Sequence, residues 1–226
     1  MIIIPTYNGF WSLNQLIKGL EKCGTMKHSI LIVDNGTTEP ISKKYLEQLA
    51  GYVGPLDIKV ETNKHGGYEA GALIHATREY PNEEKFILLH DSCRITSDQW
   101  LKQFDERLTP ERGAVAWVKF QPCLFCVFEP HLEYMNTVLS WDSVPDSGIF
   151  GSIFYTYGSI LRDWDERGFF NNPPSCKIHA ESWERIWAIL FHNDGFDIDH
   201  VIKGFEPRAI HYGHYPHLSK TFGGRL

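Results

Sequence analysis

Apolar blocks recur along the first half of the chain, and each one stops at a polar cluster. Phe86-Ile-Leu-Leu is four apolar residues in a row bounded by polar ones, which reads as a buried parallel strand. It runs directly into His90-Asp91-Ser92. Three earlier blocks behave alike: Met1 to Thr6, Ser29 to Val33, and Leu56 to Val60 with alternating Leu56, Ile58 and Val60. Helical stripes fall between them. Ser12 is the expected cap of a helix carrying Leu13, Leu16, Ile17 and Leu20 on one face. A second helix is predicted from about Ile41, with Tyr45 and Leu49 inward. A third runs from Tyr68 to Tyr80, where small Ala70, Gly71, Ala72 and Ala76 permit close packing on a sheet. A fourth follows the Phe86 strand, with Trp100, Leu101, Phe104 and Leu108 on one stripe.

Strand and helix thus alternate four times with short connections, the pattern of a parallel sheet with right-handed crossovers. The polar clusters Thr6–Asn8, Asp34-Asn35, Asn63-Lys64 and His90–Ser92 all sit at strand carboxyl ends. They must gather along one rim, the edge at which open α/β sheets bind ligands.

The second half changes character. Ala114 to Val118 and Leu124 to Phe128 read as short strands, and Ile149 to Tyr157 alternates partly, with Gly, Pro and aromatic residues nearby. No linker precedes this part, so it is expected to extend the same domain as a small mixed β region. A helix is expected from Ser182, with Trp183, Ile186, Trp187, Leu190 and Phe191 inward and Gly195 closing it. The tail from about Lys203 carries His211, His214 and His217, with His200 just upstream.

Composition narrows the function classes. A chain of 226 residues with 42% hydrophobic and 22% charged residues is ordinary for a globular protein. A net charge of −6 and the lack of a Lys/Arg run argue against nucleic acid as partner. No apolar stretch approaches the ~18 residues of a membrane span, and Met1-Ile-Ile-Ile-Pro lacks the basic region of a signal peptide. Five cysteines without regular spacing suit a reducing compartment, so a cytoplasmic location is expected. Cys123 and Cys126 form a lone CxxC without a second pair and are read as apolar packing.

Asp91 is the first candidate for chemistry. A carboxylate at the end of a buried strand can hold a divalent cation against a phosphate. The same residues also serve a plainer purpose, turning the chain towards a helix capped near Ser97 or Asp98. Asp34 likewise either meets a ligand or closes a turn with Gly36. Neither a Gly-x-Gly-x-x-Gly nor a Walker lysine motif occurs, so the two commonest nucleotide loops are absent.

Ile-Ile-Ile-Pro-Thr-Tyr-Asn-Gly, Ile-Leu-Ile-Val-Asp-Asn-Gly-Thr-Thr-Glu, Asn-Lys-His-Gly-Gly-Tyr-Glu-Ala-Gly-Ala and Leu-Leu-His-Asp-Ser follow one another over residues 1–95. In that order they resemble family 2 of the glycosyltransferases, which has the GT-A fold. Ala-Glu-Ser-Trp-Glu-Arg followed by Asn-Asp-Gly-Phe-Asp extends the likeness more weakly to about residue 198. The resemblance implies a Rossmann-like, mostly parallel sheet flanked by helices in one domain over residues 1–226. Residues 1–95 would be its nucleotide-sugar half and 96–226 its acceptor half. It further implies a UDP-, GDP- or dTDP-linked sugar donor, Mn2+ or Mg2+, a carbohydrate acceptor, and inversion at the anomeric carbon.

Carried onto this chain, the likeness makes Pro5, Thr6, Tyr7, Asp34, Asn63, Lys64, Gly67, His90, Asp91 and Ser92 the expected donor-binding residues. Where the family has Asp-x-Asp or Asp-Asp, this chain has His90-Asp91-Ser92, leaving Asp91 as the firm metal ligand with His211 as a further candidate. Glu181 is the expected general base, before a helix capped by Ser182, and Glu184 the alternative one turn on. Trp183 and Trp141 are candidate stacking faces for the acceptor, with core packing as their other use. Two rival readings remain: a nucleotidyltransferase acting on a sugar phosphate, and a non-catalytic nucleotide-sugar-binding module. Tyr7-Asn8-Gly9-Phe10 lacks the positive charge the first would want; the incomplete acidic motif keeps the second open.

Overall fold

A computed structural model of the chain describes residues 1–23, 28–120, 129–139, 148–202 and 218–220. Strands β1 (Ile2–Thr6), β2 (Ser29–Asp34), β3 (Asp57–Thr62) and β4 (Lys85–Leu88) alternate with helices α1 (Phe10–Lys22), α2 (Pro40–Ala50) and α3 (Tyr68–Glu79). They pair in parallel in the order β3-β2-β1-β4. After β4 come a short strand β5 (Cys93–Ile95), α4 (Trp100–Asp105), β6 (Ala114–Phe120) and α5 (Glu129–Val138). The chain continues through β7 (Gly148–Ile149), a 3-10 turn at Phe150–Ser152, β8 (Phe154–Tyr157) and α6 (Gly158–Glu166). It ends with α7 (Lys177–Asn193), β9 (Ile198–Ile202) and β10 (Leu218–Lys220).

The second-half strands do not form an appendage. β6, β7, β8 and β9 continue the first sheet, whose order is β3-β2-β1-β4-β8-β6-β7 with β9 also on β6. β8 lies antiparallel between β4 and β6, so β6 runs the same way as β4 and its carboxyl end reaches the same rim. β5 and β10 form a separate two-stranded pairing, which three residues of local pattern could not announce.

Two apolar layers clothe the sheet. Ile2, Ile4, Ile30 and Ile32 face α1, α2 and α4; Ile3, Leu31, Val33, Phe86 and Leu88 face α3, α5, α6 and α7. Period-two alternation in β1 and β2 supplies both faces at once. The aromatic richness is largely core. Trp164, Trp183, Trp187 and Phe170 are fully buried and interlock, with Trp183 and Trp187 ring centroids 4.4 Å apart. Each buried ring of this size is worth roughly 1.5–3 kcal/mol relative to exposure.

Three helix starts differ from expectation. α1 begins at Phe10, and Ser12 lies inside it, its hydroxyl donating to Gly9 O at 3.0 Å. α4 begins at Trp100 after Gln99, whose N–H donates to Ser97 Oγ at 3.1 Å. α7 begins at Lys177, more than a turn before Ser182, whose hydroxyl donates to Ile178 O at 2.8 Å. Serine in a helix interior makes this backward bond as readily as a cap, so residue type alone misplaced the start. The expected strand at Leu124 to Phe128 lies outside the described residues.

Candidate functional site

Parallel register builds the site. Ile3 pairs with Leu88 across β1 and β4, and continuing that register to the strand ends brings Thr6 level with Asp91. Thr6 Oγ1 donates to Asp91 Oδ2 at 3.0 Å. The chain then turns at Asn8, which adopts φ 51° and is held from the next β–α connection. Thr38 N–H and Glu39 N–H donate to Asn8 Oδ1 at 2.8 and 2.9 Å. Gly9 passes so close that a Cβ there would lie 2.2 Å from Asp91 Oδ2 and 2.8 Å from Thr6 Oγ1. Only glycine lets the backbone run against that carboxylate.

Thr6 and Asp91 border a cavity of about 300 Å³ at the rim. Of the expected donor residues, Pro5, Thr6, Tyr7, Gly67, His90 and Asp91 line it. Asn35, Tyr68 and Glu69 line it too and were not foreseen. Glu69 Oε1 lies 3.3 Å from His90 Nδ1, so the cavity's second carboxylate comes from α3 rather than from the strand end. Tyr68 sits at φ 61° with its carbonyl accepting from Asn35 Nδ2 at 3.3 Å. A bulky residue held at positive φ is strained, and such strain gathers at ligand sites. The available signal was position: Tyr68-Glu69 opens a helix directly over the rim.

Asp34, Asn63, Lys64 and Ser92 do not line the cavity. Asp34 Oδ1 accepts from Thr37 N–H at 2.8 Å, the turn-closing use of an aspartate. Asn63 braces the rim, donating to Asn35 Oδ1 at 2.6 Å and accepting from His65 N–H at 2.9 Å. Lys64 is largely exposed and pairs with Glu79 at 3.1 Å. Gly67 N–H donates to Pro174 O at 3.1 Å, and Gly66, at φ +89°, would set a Cβ 2.6 Å from Pro173. The loop before α7 therefore seals this side of the rim.

A hard cation needs oxygen ligands. The edge supplies the Asp91 carboxylate, fixed by Thr6 and left accessible only because Gly9 has no side chain, with Glu69 on the same wall. This oxygen donor set fits a hard divalent cation such as Mn2+ or Mg2+. Among the described residues, His65, His75 and Glu79 also bring possible ligand atoms within 4.8 Å of one another. Arg78 already donates to His65 Nδ1 at 3.1 Å and Lys64 holds Glu79, so fixed cations serve that cluster. His211 and Trp141 lie outside the described residues.

The two candidate bases diverge on α7. Glu181 is well inside the helix, 43% exposed, between Lys177 at 3.5 Å and His131 at 3.4 Å. The expected stabilisation by a helix start does not apply to it, because the helix begins a turn earlier. Glu184 instead accepts from Gly151 N–H at 3.0 Å. Gly151 belongs to the 3-10 turn following β7, which pairs with the rim end of β6. Trp183 is fully buried, and its indole N–H donates to Tyr134 Oη at 2.8 Å. It offers no face for stacking, which corrects the acceptor reading in favour of core packing.

The model of glycosyl transferase family 2 matches residues 1–185. The chain belongs to this family. No curated protein matches it in sequence. Among solved structures, a mannosyltransferase from Pyrobaculum calidifontis in complex with GDP-Man and Mn2+ is 14% identical at TM-score 0.58, over 88% of this chain and 53% of that one. TarS 1-349 from S. aureus in complex with UDP is 14% identical at TM-score 0.55, over 98% of this chain and 60% of that one. Glucosyl-3-phosphoglycerate synthase from Mycobacterium tuberculosis with Mg2+ and UDP is 10% identical at TM-score 0.53, over 88% of this chain and 67% of that one. At such identities the likeness is one of fold, and this family 2 chain has the GT-A fold. It spans 53% and 60% of the first two relatives' lengths. No helix among the described residues is long and apolar enough to cross a membrane.

Proposed function

We propose that this family 2 glycosyltransferase moves a sugar from a nucleoside-diphosphate donor, seated in the rim cavity, to a carbohydrate hydroxyl with inversion. The observation that carries this reading is the Thr6–Asp91 pair, with Gly9 against it, at the cavity's edge. Residues 1–95 bind the donor, and the later half presents the acceptor. Asp91 would hold Mn2+ or Mg2+, which when bound supplies Lewis-acid stabilisation of the departing diphosphate.

The chain's own residues do the rest. Pro5, Tyr7 and Tyr68 wall the cavity and exclude water from the donor. Gly67 and Tyr68 bring backbone close to it at the start of α3. Neither glutamate lines the rim cavity; Glu184 is favoured over Glu181 as the base, because Gly151 N–H orients its carboxylate while His131 and Lys177 hold Glu181. Its carboxylate takes the acceptor's hydroxyl proton. The freed oxygen bonds to the anomeric carbon from the face opposite the diphosphate, whose bond to that carbon breaks with its electron pair.

A thermal-shift panel of UDP-, GDP- and dTDP-sugars with Mn2+ tests the reading, because a ligand binding only the native state raises its apparent stability. One nucleotide class should raise Tm in a Mn2+-dependent way. No shift with any of them would sink the proposal.

A further inference from the structure

A larger cavity, about 610 Å³, lies beside the donor site between α5, the loop after α6 and the start of α7. Pro173 links the two, lining this cavity while packing on Gly66, the neighbour of the donor-lining Gly67. Its volume falls in the range of about 300–1,000 Å³ typical of sites for ligands of several rings.

The chemistry of its wall is specific. Tyr134 and His179 stack with centroids 3.8 Å apart and planes within 6°. Tyr134 is locked beneath, its hydroxyl donating to Asn172 O at 2.7 Å and accepting from Trp183. Ser175 N–H points at His179 Nδ1 from 3.4 Å, and Ser175 Oγ lies 3.0 Å from the same nitrogen. A backbone N–H only donates, so Nδ1 accepts and the ring proton sits on Nε2. Burial lowers the His179 pKa, keeping the imidazole neutral. Among the described residues the wall therefore offers a neutral N–H donor, the Asn171 amide, the Glu133 carboxylate and a flat ring edge, and its lining includes no Lys or Arg.

A phosphate or sulfate would meet Glu133 with no cation among the described lining residues to offset it, the neighbouring Lys177 being paired with Glu181. Neutral sugar rings match instead, since each hydroxyl both donates and accepts and their apolar faces lie on flat side chains. We propose that this cavity binds a neutral oligosaccharide segment of the acceptor, adjoining the ring that receives the transferred sugar. This rests on the donor reading above for its role, though not for the binding itself.

The test is capture of the full chain on an array of neutral di- to tetrasaccharides and their sulfated counterparts, in EDTA and without nucleotide. At least one neutral glycan should be retained, and His179→Ala should weaken that capture at least about tenfold, the effect of one lost well-placed bond of about 1.4 kcal/mol. Asn171→Ala, on the exposed turn across the cavity, should weaken it likewise and serves if His179→Ala fails to fold. No neutral glycan retained, preference for the sulfated forms, or undiminished capture by the variants would overturn the proposal. A chain that captures glycan but binds no nucleotide would count against the donor reading alone.

Discussion

Thr6 and Asp91 are brought within hydrogen-bonding distance, 3.0 Å, by nothing more than the parallel register of β1 and β4. The hydroxyl gives the carboxylate a fixed orientation, and hydrogen bonds to charged groups are worth roughly 1.5–3 kcal/mol. Thr6→Val keeps the shape and removes that bond. It should weaken Mn2+–nucleotide binding by about 10- to 100-fold in titration calorimetry. Gly9→Ala should damage binding as severely, by driving a methyl into Asp91 Oδ2 and Thr6 Oγ1. Unchanged affinity in both variants would remove Thr6–Asp91 from the donor site.

The proposed base can be separated from its neighbour. Glu184→Gln should leave nucleotide affinity intact and cut sugar transfer by about 10²–10⁴-fold, the usual worth of general-base help. Glu181→Gln should transfer near the wild-type rate. The opposite ranking would return the role to Glu181, despite its contacts with His131 and Lys177.

Gly66 packs at the junction between the rim and the loop before α7. Its φ of +89° and the 2.6 Å approach of a Cβ to Pro173 make any side chain costly. Gly66→Ala should lower Tm by about 2–12 °C, from roughly 1–3 kcal/mol of strain. A Tm equal to wild type would mean that the loop yields freely.

Glu61 gives the acid limb of stability a local origin. Burial pushes its carboxyl up, but Tyr80 Oη at 2.5 Å and His75 Nε2 at 2.7 Å outweigh this and hold it below its usual value. A depressed folded pKa stabilises the protein above the unfolded value, about 4.3, and the gain disappears as pH falls through the folded value. Glu61→Gln should therefore flatten the loss of Tm with acid in that window. Parallel curves for the variant and wild type would show that Glu61 does not contribute.

Much of the fold was legible because three strands were continuous apolar runs and a fourth alternated, while three helices carried apolar stripes and the helix from Tyr68 a run of small residues. The rim followed from topology and the family likeness added Gly67; Thr6, Gly67, His90 and Asp91 all line one cavity. What stayed hidden depended on tertiary contact. Nothing local says that Glu69 faces His90, that Gly9 must clear Asp91, or that Trp183 is capped by Tyr134 rather than exposed. Asp34 fitted both a ligand and a turn, and the bond from Thr37 N–H realises the turn. The β8 insertion between β4 and β6 was likewise beyond local pattern, since strand order is set by which faces can be covered.

Titration calorimetry of UDP, GDP and dTDP into the full chain, with Mn2+ and then with EDTA, for wild type and Asp91→Asn, bears on the central claim most directly. One nucleotide should bind wild type in Mn2+, weaken at least about tenfold in EDTA, and weaken equally in Asp91→Asn with its melting temperature preserved, as loss of a charged ligand requires. Nucleotide binding that ignores both EDTA and the Asp91 substitution, or no binding of any of the three nucleotides, would contradict a cation-assisted donor site at the Thr6–Asp91 rim.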